Sequence, residues 1–250
     1  MSAAALLLLA VAFAFPNEQG TRLLATGDIA KPDALRTALC SGNRQVSVQF
    51  ELRQAEGTGS SGRQSPQNFA NAAGAVFRIT KGTVAADAAC ALTDESFISG
   101  GTLIPLTRPS ADARCSRAEY PNFQADKGRP VVGCWPIARG SNNLQVAVIE
   151  FSRRLTHALA SIVVIDGDRR IYIDYPAEFK GPGDDLWRVD DGGEIHAESF
   201  EILFLVKRGA TYVLGVDWKG AEGDALSIHT AEDSAQFKEV VSDSWYRSPL

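Results

Sequence analysis

The most strongly patterned stretch of the chain runs over residues 198–218. Phe200, Ile202, Phe204 and Val206 alternate onto one face of an extended segment, while Leu203 and Leu205 make the opposite face apolar as well. A strand hydrophobic on both sides belongs in the middle of a fold, covered above and below. Residues 207–210 supply a short hairpin loop. Tyr212, Val213, Leu214 and Val216 then return antiparallel, with Gly215 marking a bulge or a close approach.

A second hairpin joins residues 161–166 to 169–175 through Gly167 and Asp168. Its expected register sets Asp166 opposite Arg169, Val164 opposite Ile171 and Ile162 opposite Ile173. An opposite-charge pair then flanks the turn, with apolar pairs behind it. Alternation or apolar runs predict further strands over 45–52, 74–80, 131–137, 144–151, 225–230 and 237–241. Another, at 102–106, contains Pro105 and is placed at an edge. His229 alternates outward with Ser227, and Trp245 and Tyr246 pack down at the end.

Helix is expected only as one or two turns within 31–39. Residues 16–26 read as flexible, 55–70 as a mobile loop, and 107–129 as a long loop tied by a disulfide. The fold class is therefore all-β, an antiparallel sandwich or barrel with long polar loops and little helix. No repeat near 40 residues supports a propeller. The expected division is an extension over 15–40 and one β-rich domain over 41–250, with two small domains, 41–150 and 151–250, as the alternative.

Composition changes this picture mainly by compartment. At 250 residues and 45% apolar content the chain fills a substantial core. A net charge of −5, with no Lys/Arg cluster among aromatics, argues against nucleic-acid binding. Residues 3–14 form an unbroken apolar run ending Ala12-Phe13-Ala14, too short for a bilayer span of about 17–25 residues. It is read as a signal peptide over 1–14, although no Lys or Arg precedes it. An exported protein, periplasmic or extracellular, with no membrane span in the mature chain, is expected.

Cysteine usage agrees. Cys40, Cys90, Cys115 and Cys134 form no C-x-x-C pair and no zinc spacing. Of the three pairings four cysteines allow, Cys115–Cys134 with Cys40–Cys90 is favoured, because the first closes a polar, irregular loop.

Candidate chemistry is sparse. Residues 57–62 match G-x-G-x-x-G literally, but no helix pattern or suitably placed acid follows, as a dinucleotide site requires. No nucleophile elbow, S-x-x-K or P-loop is present, and His157, His196 and His229 are dispersed. No cofactor is implied.

The best candidate site is the acidic segment Asp184, Asp185, Asp190, Asp191, Glu194, Glu198 and Glu201 around Trp187. Within it, Trp187, Asp190, Asp191 and Glu194 are taken as ligand-binding residues. Two carboxylates beside an aromatic suit glycoside hydrolysis, and several carboxylates in one loop suit Ca2+. No catalytic residue and no metal ligand is assigned.

Residues 40–50, Cys-Ser-Gly-Asn-Arg-Gln-Val-Ser-Val-Gln-Phe, resemble the opening of the small periplasmic inhibitors of C-type lysozymes. That family's Ser-Ala-Ser-Gly inhibitory stretch has no counterpart here, so no functional residue is carried over. The expected function is an exported, non-enzymatic β-rich protein that binds an envelope protein or glycan. The alternative is a polysaccharide hydrolase using carboxylates of 184–201.

Overall fold

A computed structural model describes residues 11–178, 187 and 194–248. Over these residues the chain forms a closed six-stranded barrel and two open antiparallel sheets, with little helix. The expected all-β class is what the structure shows.

The barrel comprises β1 (Val11–Pro16), β2 (Arg22–Ala25), β3 (Thr37–Cys40), β4 (Arg44–Gln54), β5 (Gly74–Lys81) and β6 (Cys90–Thr93). It closes in the order β1-β2-β5-β4-β3-β6. Ala14, Ala25, Ala38 and Ala75 share its interior with Leu23, Val48, Phe77 and Leu92. Small residues between large ones let so narrow a ring close. Cys40 and Cys90 are cross-strand partners on β3 and β6, and their disulfide sits within this core.

Several expectations for this half change. Residues 15–40 are barrel wall rather than an extension: 16–26 contains β2, and 31–39 holds one 3-10 turn, Pro32–Ala34, followed by β3. Strand β1 begins at Val11 and pairs Val11 through Ala14 with Thr93 through Cys90. A leader boundary after residue 14 would therefore cut through a stave. The tripeptide Ala12-Phe13-Ala14 belongs to a strand buried on both faces, whose composition matches that of a short secretory segment. The loop over 55–70 is anchored rather than loose. Asn68 and Phe69 are buried, and the Asn68 side chain accepts from Ser61 N at 3.0 Å and donates to Arg63 O at 2.8 Å.

Beyond the barrel lie α1 (Glu95–Ile98) and the edge strand β7 (Thr102–Leu103). An outer sheet follows, of β8 (Val131–Arg139), β9 (Gln145–Arg154), β10 (His157–Asp166) and β11 (Arg169–Glu178). A central sheet adds β12 (Phe200–Arg208), β13 (Thr211–Lys219), β14 (Gly223–Ala231) and β15 (Lys238–Tyr246) to β7, in the order β15-β14-β13-β12-β7. The β10–β11 hairpin has the expected register, Asp166 opposite Arg169 and Ile162 opposite Ile173.

The central sheet is packed on both faces, as the two-sided pattern of 200–206 requires. Its assignment of faces needs one correction. A bulge between Ile202 and Phe204 sends Phe200, Ile202 and Leu205 toward the outer sheet and Leu203, Phe204 and Val206 toward the barrel. Gly215, opposite Phe204, is the close approach: a Cβ there would lie 2.4 Å from Phe204 Cε1. The hairpin loop is also shorter than expected, because strand pairing continues to Arg208 opposite Thr211.

The segment 107–129, expected to be a loop, contains a helix without an apolar stripe. α2 (Tyr120–Lys127) follows a capping box between Ser116 and Glu119, and Phe123 is its one buried residue. Polar contacts dock it instead. Asp126 accepts from Arg170 Nε and from Tyr172 Oη, both at 2.6 Å. Phe123 completes a small core with the Cys115–Cys134 disulfide, Phe151 and Tyr172 on the far side of the outer sheet. The layers thus run barrel, central sheet, outer sheet, helix.

Candidate functional site: a cleft between the two sheets

Backbone hydrogen bonds stitch the two sheets together beside β15. Tyr172 N donates to Ala235 O at 2.9 Å and Phe237 N to Tyr172 O at 2.8 Å, so the segment before β15 lies along β11. Beside this stitch, β11 faces β13, β14 and β15 across a gap. The gap is a cleft of about 540 Å³.

Its floor is aromatic. Trp218 stacks on Phe200 with centroids 5.1 Å apart and planes 21° apart, and meets Tyr175 edge-on at 5.2 Å. Phe200 is fully buried, whereas Tyr175 and Trp218 are half-buried and line the opening. Ser227 and His229 form the wall on β14. Two residues apart on a strand, they share a face, and His229 Nε2 lies 2.8 Å from Ser227 Oγ. Burial lowers the imidazole to about 4, against the weaker opposing pull of Glu239. His229 is therefore neutral near pH 7, with one nitrogen donating and one accepting. Burial likewise pushes the Tyr175 hydroxyl up.

The rim is polar and acidic. Asp174 is already engaged: Ser161 Oγ donates to it at 2.6 Å, Lys127 Nζ at 2.7 Å and Gln236 Nε2 at 2.8 Å. Glu239 and Asp243 complete the acidic side, and Glu239 accepts from Ser242 Oγ at 2.7 Å.

The expected site residues fare unevenly. Trp187 packs against the core between the sheets, and its indole donates to Tyr175 O at 2.9 Å. It thus buttresses the cleft floor. Glu194 is exposed, 4.0 Å from His196, and does not line the cleft. Asp184, Asp185, Asp190 and Asp191 lie outside the described residues, and with them most of the proposed Ca2+ loop. Glu201 points to the opposite side of the sheet, where Lys219 Nζ donates to it at 2.6 Å. His229 and Trp245 are buried and Tyr246 is exposed, so the outward assignment of His229 is overturned. Its face is covered by the returning 235–237 segment, a contact that local alternation does not encode. The spacing Ser227-x-His229 was the available signal for the pair.

Glu150 on β9 was also not anticipated. Burial raises its carboxyl, opposed by Arg153 and assisted by Glu194. Among the described residues no cluster of His, Cys, Asp and Glu is arranged to hold a metal ion, and no helix is long and apolar enough to cross a membrane.

Fold and site together define a class: an all-β protein in which a barrel backs a two-sheet sandwich with an aromatic-floored cleft. Comparison with known proteins finds no matching family model, no similar curated protein and no similar solved structure.

Proposed function

We infer that this is a non-enzymatic binding protein of an oxidising, extracytoplasmic space, and that its cleft takes a neutral, hydroxyl-rich ligand, an envelope glycan. The observation that carries this is the pairing of the Trp218–Tyr175 floor with the neutral Ser227–His229 wall. Aromatic faces stack on the apolar faces of sugar rings, while neutral donor–acceptor pairs match hydroxyls. The acidic rim works against anionic ligands. Both disulfides suit such a compartment.

The test is a fluorescence titration with neutral oligosaccharides of N-acetylated and plain hexoses. Saturable quenching is expected, with binding weakened at least tenfold in Trp218→Ala and several-fold in Ser227→Ala. Absence of saturation across the panel, or undiminished binding by the Trp218 variant, would overturn the assignment.

A hydrolase is the second reading, favoured by one observation: burial, with Glu194 adding to it, raises the Glu150 carboxyl above the ordinary carboxylate range, the direction a general acid needs. Release of reducing ends that disappears in Glu150→Gln, with the melting temperature unchanged, would select it.

A further inference from the structure

The opposite, barrel-facing side of the central sheet carries a second concentration of charge. Glu201, Asp217, Lys219 and Asp224 occupy the ends of β12, β13 and β14 on that side, and Arg247 follows β15. Asp217 is at its centre, with a relative exposure of 0%, and neither carboxylate oxygen has a hydrogen-bond donor among the described residues. The charged groups facing it are Asp224, Lys219, Arg247 and Glu201. Two of these neighbours hold the barrel. Glu201 Oε1 accepts from Gly42 N in the β3–β4 turn at 3.0 Å, while its other oxygen takes Lys219. Arg247 pairs with Asp224 at 2.5 Å and donates to the backbone carbonyl of Asp87 at 3.2 Å.

The charges do not balance. Three carboxylates face two cations, and each cation is ion-paired with another acid, Lys219 with Glu201 and Arg247 with Asp224. A single proton on Asp217 makes the cluster neutral. Ionised, Asp217 is a buried charge without a bonded partner, among the costliest arrangements a core can hold.

We propose that Asp217 is a proton-operated latch, closing the barrel onto the central sheet when protonated and loosening that seam when ionised. Opening admits water to Asp217, which then titrates as an ordinary carboxyl. The closed form thus binds the proton more tightly than the open form. Opening becomes more favourable as pH rises from the open-state value near 4 toward the closed-state value of about 7, and levels off above it.

Two measurements on the intact chain test this. The carboxyl carbon shift of Asp217 should titrate with a midpoint between pH 6 and 8. The Gly42 amide, which crosses the seam to Glu201, should show exchange, corrected for the intrinsic rate, rising up to about tenfold per pH unit between pH 4 and 7. The Val163 amide, inside the outer sheet, should not follow it. In Asp217→Asn, Gly42 exchange should stay at its acid level throughout. A midpoint below pH 5, a flat Gly42 profile, or Gly42 and Val163 loosening in parallel would overturn the latch, and the first two need no variant to fold.

Discussion

Asp217 on β13 and His229 on β14 are buried on opposite sides of the central sheet, and burial acts on the two in opposite senses. On the barrel side it raises the Asp217 carboxyl to about 7; on the cleft side it lowers the His229 imidazole to about 4. The common cause is that a poorly solvated site disfavours whichever form is charged. The neighbours differ. Asp217 sits among other acids whose cations are engaged, whereas His229 has a serine hydroxyl and an aromatic edge. One face is thereby made sensitive to a proton, and the other is made a neutral polar surface suited to a ligand.

The largest expected effect separates the faces by packing. Phe204 fills the barrel seam and Phe200 the floor of the cleft, and both are buried. Truncating either to Ala should cost about 3–5 kcal/mol in denaturant unfolding. Only Phe200→Ala should also abolish ligand quenching, because Trp218 loses its stacking partner. Equal loss of binding in both variants would mean that the faces are not separable.

Removing a disulfide tests the two halves. Opening Cys40–Cys90, with a sequence separation of 50, should cost about 4 kcal/mol, against about 3 kcal/mol for Cys115–Cys134 with a separation of 19. The reverse order, read from the unfolding of the double-alanine variants, would mean that strain or residual structure outweighs chain entropy.

The pH dependence tests the comparison most directly. The stability tied to protonated Asp217 is present below about pH 4 and lost as pH rises to about 7. That tied to neutral His229 is present above about pH 6.5 and lost as pH falls to about 4. Each is worth on the order of 2–4 kcal/mol over its window, so wild-type stability should be nearly level between them. Asp217→Asn should expose a profile that climbs with pH, and His229→Gln one that descends. Parallel slopes in the two variants would contradict the opposite signs.

The smallest effect serves as a reference outside both faces. Arg22 and Glu51 form a 2.7 Å ion pair on the barrel exterior, 45% and 31% exposed. Arg22→Ala should shift stability by only about 0.2–1 kcal/mol, screened further by salt.

What was legible in the chain follows from how far each interaction reaches. The β10–β11 register was readable because a two-residue turn, an ion pair and apolar partners lie within a few positions of one another. The central position of β12 was readable because a strand covered on both faces has no polar side to show. The bulge at Leu203 could not be read, because Phe204 yields to Gly215 across the sheet, and the helix over Tyr120–Lys127 was signalled only at its ends, by the Ser116–Glu119 capping box and Gly128. The helix is held by Arg170 and Tyr172 from a distant strand rather than by an apolar stripe. Of the expected site, Trp187 supports the cleft and Glu194 stands apart, while Asp190 and Asp191 lie outside the described residues.

By itself the sequence determined the β class and the two-sided core strand, because these depend on alternation and composition near each residue; it favoured, among three, the sulfur pairing that the structure shows. Only the tertiary structure decided that 11–40 is barrel wall and that Ser227 and His229 turn inward beneath the 235–237 segment. It also decided that Asp217 lies buried among two other acids and two bases. Burial at those positions is set by strands far away in the chain, and no local pattern carries that information.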